Sequence, residues 1–520
     1  MPQQGPPKEE ILLPDHENEK GLLDSIFEYL PLNFWEKHAE QTNLYSVQNR
    51  NHRSVNTTTD ELIHLAGIHL MMGCLGYPQC KMYWQYDTAV PAITNCMTRD
   101  RFFELRSNVH FVDNEGGHED TDRLWKVRPL IDCVRQKCLT LPRPNHISLD
   151  EQMVPFSVNC LIRQYVPTKP NPLGLKCFVL AAPDGLVLDL HFYTGKGTVS
   201  DADMKELGLG ASVVKLLCES VPQNNNHCIY TDRFFTSIKS LEYLLKRNTY
   251  QTGTVMKNRI GRVIDKLKTD KQLKRGEWDE KVREDDKVCV IKWKDNKSVL
   301  LLSSCVGSEP VTTCKRWSKE EKKKVTIPQP MVVNLYNDKM GGVDLCDRFM
   351  SFYRCYIRTR KWPVRLYNHF VDLVVVNCWV MYHRWCVAQG VPSKMRKSLL
   401  QYKIYMAKAM MNYQKVELPI CAPRKRGRPR TSNGSDEVDG EGVDDPENNL
   451  QAKKPRKVVC QPIAEIRYDD VGHMPKFVDA KNASKCRNEG CKSKTRVMCI
   501  KCGLYLCILS NNCFIKYHTK

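Results

Sequence analysis

Three aspartates and a run of cysteines carry the chemistry open to this 520-residue chain. Asp150 lies in SLDEQMVPF, Asp232 in YTDRFFTS and Asp344 in YNDKMGGVDLCD, with Asp347 three residues further on. Carboxylates that a fold draws together suit hard divalent cations, which take oxygen ligands and pair with phosphate. Two such ions about 3.5–4 Å apart activate a water or a 3′-hydroxyl and steady the leaving oxygen. Each aspartate also has a plainer role open to it: Asp232 as a helix cap, Asp344 and Asp347 as a solvated first turn. At the other end, Cys486, Cys491, Cys499, Cys502, Cys507, Cys513 and His518 follow C-x4-C-x7-C-x2-C-x4-C-x5-C-x4-H. Thiolates and imidazole at this spacing suit tetrahedral Zn²⁺, and so short a segment has no other means of building a core. Seven ligands are visible where two full sites need eight. Either one site has a further ligand, or a single zinc binds tightly.

The elements that position these groups change along the chain. Residues 1–20 read as a tail. From 21 to about 145 the pattern is helical, with Asp60 and Glu61 opening LIHLAGIHLMMGCL, apolar spacing over Arg99–Val112, and Pro129 just before a helix at Leu130–Leu139. Three strands follow in HISLDEQMVPF, LKCFVLAA and LVLDLHFYTG, the last two a hairpin about Pro183-Asp184-Gly185. A helix in ASVVKLLCESV and a fourth strand in HCIYTD complete a mixed α/β layer over 146–256. Residues 257–330 read as a basic insertion with strands at KVCVIKW and SVLLLSSC, carrying 20 Lys and Arg against 12 Asp and Glu. Helical character returns over 331–353 and 354–418, including a long helix about Leu366–Cys386. A linker occupies 419–484, and the cysteine-rich segment 485–520. Gly341 and Gly342 remove bulk where backbone or a ligand must come close.

The whole chain has 79 Lys and Arg against 59 Asp and Glu, a formal charge of +20. That balance points to a polyanionic partner. The most apolar stretches are broken by His64, His69, Asp372 and Asn377 and fall short of the ~20 residues of a membrane span. No membrane is expected. A reducing compartment fits the 24 cysteines, as buried thiols or metal ligands.

SLDEQMVPF, YTDRFFTS, TGTV, YNDKMGGVDLCD and RKWPVRL, in this order over about residues 20–415, resemble the piggyBac transposases and their domesticated relatives. The resemblance implies an RNase H-like catalytic core split by an insertion, a helical dimerisation and DNA-binding domain made from segments on both sides of it, and a C-terminal cross-braced zinc domain. It implies that Asp150, Asp232 and Asp344 form the catalytic triad, assisted by Asp347, with Mg²⁺ or Mn²⁺. The implied partners are double-stranded DNA at transposon terminal repeats and TTAA targets and a second copy of the chain; the zinc end and basic linker add chromatin proteins as a further expected class of partner. The implied reaction is nicking at the transposon end, attack of the freed 3′-hydroxyl on the opposite strand, and a hairpin that is later opened. A domesticated, non-transposing DNA-binding or chromatin regulator is the alternative. Two departures stand out: a short N-terminal extension, and Met256 where a basic residue often follows TGTV, with Arg259 keeping the second basic position.

The charge has local centres. Arg348–Val371 carries six Lys or Arg and no acid. In it Arg354, Arg358, Arg360, Lys361 and Arg365 surround Trp362, suiting phosphate contacts and a base stack, or equally a solvated face about a core tryptophan. In the linker, Pro423–Arg430 reads as a nuclear import signal or, through Arg426 and Arg428, as an AT-hook for a narrow minor groove; Lys453–Lys457 is a second import candidate. A nuclear location is therefore expected.

Overall fold

Apolar residues at helical spacing build the first layer: α1 (Glu19–Phe27), α2 (Leu32–Asn49), α3 (Thr59–Leu75), α4 (Pro91–Thr94), α5 (Arg99–Asn108) and α6 (Arg128–Thr140). In this computed structural model the described residues are 19–49, 54–116, 122–167, 169, 171–356 and 358–414 of one unit and, in a second unit, 462, 467–468, 472–479, 482–509 and 511–519. The cap of α3 is Thr58, whose side chain accepts from the Glu61 backbone N–H. Asp60 and Glu61 therefore sit in the first turn, where negative charge complements the helix dipole. The helix stops at Gly76 in the left-handed region, φ 66°. α5 ends at Asn108, short of the expected Val112. There the chain turns to α2, where the His110 N–H donates to Thr42 Oγ1 and the Thr42 hydroxyl donates to the His110 carbonyl.

The alternating segments form the expected strands and hairpin: β1 (His146–Pro155), β2 (Arg163–Tyr165), β3 (Leu173–Ala181) and β4 (Val187–Phe192). After α7 (Asp201–Leu207) and α8 (Leu209–Cys218) come β5 (Cys228–Thr231), α9 (Ile238–Leu245) and β6 (Tyr250–Thr254). β1 is antiparallel to β3 on one side and parallel to β5 on the other, with Asp150 opposite Val179 and Leu149 opposite Thr231. β2 and β4 both pair with β3, and β6 lies parallel to β5. Residues 257–330 contribute β7 (Trp278–Val282), β8 (Cys289–Lys294) and β9 (Ser298–Ser303) to this same nine-stranded sheet, β9 pairing with β6. β10 (Thr312–Ser318) and β11 (Lys323–Gln329) form a separate ladder.

Helices return as α10 (Met331–Lys339), α11 (Gly342–Phe352), α12 (Trp362–Ala388) and α13 (Leu399–Asn412). Every residue of α12 from Leu366 to Cys378 is buried, so this helix is core on all sides. Two of the polar residues that break its apolar run, Asn377 and Asp372, have partners. Asn377 bonds both the N–H and the carbonyl of Val187, tying α12 to β4. Asp372 (3% exposed) pairs with Lys403 (4%) of α13, which also donates to the Tyr353 carbonyl after α11. Losing one partner of such a pair strands a buried charge. Lys403→Met should therefore lower unfolding free energy by about 3–5 kcal/mol in urea titrations, and adding Asp372→Leu should recover most of the loss. Equal stability of the single variant would refute this. α3 lies against α13 so closely that a Cβ at Gly67 would sit 2.9 Å from the Ala407 carbonyl oxygen. Among the described residues no helix is long and apolar enough to cross a membrane.

In the second unit, strands Pro475–Phe477 and Val497–Cys499 pair antiparallel, as do Ser484–Lys485 and Lys494–Thr495, before a helix at Cys513–His518. Leu504, Leu506, Phe514 and Tyr517 are buried with the cysteines. The linker runs, with Arg426 and Arg428, lie outside the described residues.

Candidate metal centres and nucleic-acid interface

The pairing of β1 with β5 brings two distant acids together. Asp150 is buried within β1, and Asp232 immediately follows β5. Asp232 Oδ1 accepts from the Phe234 N–H in a local turn. Oxygens of Asp150, Asp232 and Glu151 all lie within 4.8 Å of one another. Burial pushes the Asp150 carboxyl well above its usual range, with the Glu151 and Asp232 charges adding to the rise. Asp232 is raised for the same first reason. The Lys169 ammonium opposes this, 4.0 Å from Asp150 Oδ1 and 3.7 Å from Glu151 Oε1, while donating to the Glu151 carbonyl. Burial alone would lower the Lys169 pKa, yet Asp150, Glu151, Asp344 and Asp347 together hold it above its ordinary value.

Asp344 and Asp347 arrive on α11. Asp344 is exposed in its first turn and stands outside the three-carboxylate cluster. Asp347 Oδ1 accepts from Gln152 Nε2 at 2.7 Å, and burial pushes its carboxyl up to about 6. Glu151 was not singled out from sequence. Neighbours on a strand point to opposite faces, which argues against two adjacent acids in one site. The only signal was adjacency itself in SLDEQ.

The basic residues divide. Arg259 Nη1 donates to the carbonyls of Arg233, Phe234 and Thr236, clamping the loop that carries Asp232. Lys361 donates to the Tyr45 hydroxyl and the Ser107 carbonyl and lies over the Tyr45 ring. Trp362 opens α12 half-buried and packs against the core. Arg358 and Arg360 are exposed, and Arg354 is half-buried beside Arg106.

In the second unit the ligand atoms fall into two groups: Cys486, Cys491, Cys507, Cys513; and His473, Cys499, Cys502, His518. Their order along the chain interleaves. His473 stands where the eighth ligand that the sequence leaves open would sit; a single His 13 residues before Cys486 belongs to no spacing pattern. A tetrahedron of Zn–S bonds near 2.3 Å sets its corners roughly 3.8 Å apart. Here Cys491 and Cys507 Sγ are 3.9 Å apart, and His473 Nδ1 lies 3.5 and 3.4 Å from Cys499 and Cys502 Sγ. His518 Nδ1 is 2.8 Å from the Phe514 carbonyl, which only accepts, so Nδ1 carries the proton and Nε2 turns its lone pair toward Cys502, 3.3 Å away.

The family model described as Transposase IS4 matches residues 24–379. PiggyBac transposable element-derived protein 3 of Homo sapiens is 28% identical over 491 residues, covering 93% of this chain and 73% of that protein. The chain belongs to the piggyBac transposase family. PiggyBac transposable element-derived protein 2 of Homo sapiens is 30% identical over 395 residues, 74% of this chain and 64% of that protein. The fold is similar to that in a cryo-EM structure of the piggyBac transposase synaptic complex with hairpin DNA: TM-score 0.64 at 22% identity, over 78% of this chain and 83% of that one.

The span matched as Transposase IS4 contains all four aspartates and ends inside α12, so the cysteine-rich unit lies beyond it. Within that span the paired glycines of this piggyBac family member differ in kind. A Cβ at Gly342 would meet the Ala182 carbonyl oxygen at 2.3 Å and Ser148 Oγ at 2.6 Å, whereas Gly341 faces open space. Gly342 thus lets α11, with Asp344, lie directly on β1 and β3. Gly342→Ala should lower the melting temperature by several degrees, as for about 1–3 kcal/mol of overpacking, with Gly341→Ala close to neutral. Differential scanning calorimetry decides; equal effects would remove the packing argument.

Proposed function

We propose that this protein is a piggyBac-type transposase-derived DNA-binding protein whose aspartates support metal-dependent cleavage and strand transfer at transposon ends and TTAA targets. In this reading the sheet around β1, β3, β4, β5 and β6 is an RNase H-like core, residues 257–330 its insertion, and the helices on either side a dimerisation and DNA-binding domain. The observation that carries it is the convergence of Asp150, Glu151 and Asp232 within 4.8 Å, with a lysine turned toward them. The donor set fits Mg²⁺ or Mn²⁺. It is all oxygen, and Glu151 Oε2 is buried with no hydrogen-bond partner. Asp150, Asp232 and Glu151 would hold the ion, with Asp344 at the open edge. Bound there, it supplies charge to polarise phosphate and activate water. The protein's own groups do the positioning. Arg259 fixes the Asp232 loop, Gln152 orients Asp347, and Lys169 balances the carboxylates. Arg354, Arg358 and Arg360 offer guanidinium forks to backbone phosphates.

The interleaved Cys/His quartets fit Zn²⁺ by donor type and spacing, and form a cross-braced zinc module. Location in the nucleus, directed by the linker's basic runs, and assembly as a homodimer complete this reading.

The test is binding and nicking of labelled terminal-repeat duplexes with and without Mg²⁺. Nicking that EDTA stops supports the proposal; no binding to any candidate end refutes it. Binding without nicking favours the domesticated regulator. Log affinity should fall linearly with log salt, with a slope of about −0.9 per phosphate neutralised. A flat response would contradict a phosphate-led interface.

A further inference from the structure

Beside the basic segment, α3, α5 and the chain after α11 enclose a cleft of about 530 Å³. Three arginines line it: Arg106 from α5, and Arg354 and Arg358. No Asp or Glu lines it. Several other half-buried arginines of this unit meet an acid, as Arg101 meets Glu61, Arg128 meets Asp122, Arg135 meets Asp189 and Arg384 meets Asp184. Among the described residues Arg106, Arg354 and Arg358 form no ion pair. Arg106 instead donates to the Arg358 carbonyl, and its burial lowers its pKa. Three guanidiniums that converge on one cleft with no acid in its lining make a site that an anion completes.

The remaining wall is aromatic. Tyr77 and Tyr83 stack with centroids 4.6 Å apart and planes 19° from parallel. The Tyr83 hydroxyl donates to the Met72 carbonyl and accepts from the Tyr77 N–H, which locks the pair in place. Tyr356 is 71% exposed, a large ring with little else to cover it. Arginine forks for a phosphate beside flat rings for a base are the two halves of nucleotide recognition. The volume is in the range of small-ligand pockets, whereas a stacked, paired base cannot enter a concave cleft. Arg354 also reaches the acid side of the fold, where its charge acts on Asp347.

We propose that this cleft receives a single unpaired nucleotide of DNA, its phosphate on Arg106, Arg354 and Arg358 and its base against Tyr77 and Tyr356. The site rests on the DNA-binding function proposed above and adds to it a preference for strand distortion next to the acids. Its source is the DNA strand rather than a free mononucleotide, because Arg354 and Arg358 belong to the basic segment that directly follows α11, the helix that carries Asp344 and Asp347.

The full chain is titrated by fluorescence anisotropy with a duplex carrying one unpaired 2-aminopurine and with the same duplex fully paired. The bulged duplex should bind about tenfold tighter, the value of one base stack, with quenching of 2-aminopurine. Tyr77→Leu and Arg358→Ala should each bring the affinity ratio toward one. Arg358 is exposed, so its loss does not threaten folding. A ratio of one in the wild type, with duplex binding intact, overturns the cleft assignment alone. Binding of neither duplex overturns the DNA function with it. A ratio that survives both substitutions places the preference elsewhere and overturns the cleft. Deoxythymidine monophosphate competing as well as the bulged duplex does would overturn the strand as source.

Discussion

Asp232→Asn should abolish Mg²⁺-dependent nicking of a cognate end while leaving duplex affinity nearly unchanged. The substitution keeps shape and hydrogen-bonding capacity but removes one of three negative charges gathered within 4.8 Å. The loss should be at least ~10²–10³-fold, the usual effect of deleting one electrostatic contributor from a preorganised site. Single-turnover nicking on a denaturing gel measures it, and undiminished cleavage would end the triad assignment. The same variant should be more stable without metal. The sign follows from the raised carboxyl pKa values of Asp150, Asp232 and Asp347. The folded state holds these protons to higher pH than the unfolded chain does. Their contribution to stability is therefore greatest below the unfolded value of about 4, and falls as pH rises toward the folded values, about 6 for Asp347. In EDTA, wild-type melting temperature should drop across that window. Asp232→Asn should flatten the drop, gaining about 2–4 °C per kcal/mol recovered. Excess Mg²⁺ should raise the wild type selectively.

Zinc analysis of the purified chain should return two ions, and His473→Ala fewer than two. His473 completes a quartet with Cys499, Cys502 and His518, and no other described Cys or His lies in that group. Structural zinc contributes about 10–16 kcal/mol of apparent binding energy at neutral pH, more than a unit with so small a core has from packing. Strong chelation should therefore collapse the cysteine-rich unit while the larger unit keeps its melting transition. Two-dimensional NMR reports the first and calorimetry the second. Two full equivalents retained by His473→Ala would exclude the imidazole as a ligand.

Much of this was legible in the sequence because strand alternation and turn residues act locally. SLDEQ and HCIYTD read as strands, and their pairing set Asp150 beside Asp232. Glu151 escaped because the alternation that found β1 assigns adjacent side chains to opposite faces. His473 escaped because a side chain brought up by the pairing of Pro475–Phe477 with Val497–Cys499 leaves no local spacing. Arg259 stands out in the sequence by its charge, whereas the three carbonyls it holds at once leave no sequence signal. The difference between Gly341 and Gly342 was invisible too, since only the approach of Ala182 separates them. Of the polar residues that interrupt the apolar runs, the structure buries His69, Asp372 and Asn377 within the protein.

The packing of α3 on α13 has a consequence for synthesis. The two helices are separated by more than 320 residues of chain. At 5–20 residues per second, the ribosome needs roughly 15–65 seconds to deliver the second after the first. Throughout that interval α3, apolar on nearly every face, lacks the neighbour into which Gly67 nests. A nascent chain of this kind is a natural client for a trigger-factor or Hsp70-type holdase. Its yield in a heterologous host should depend on translation speed and chaperone supply more than on the final stability of the fold.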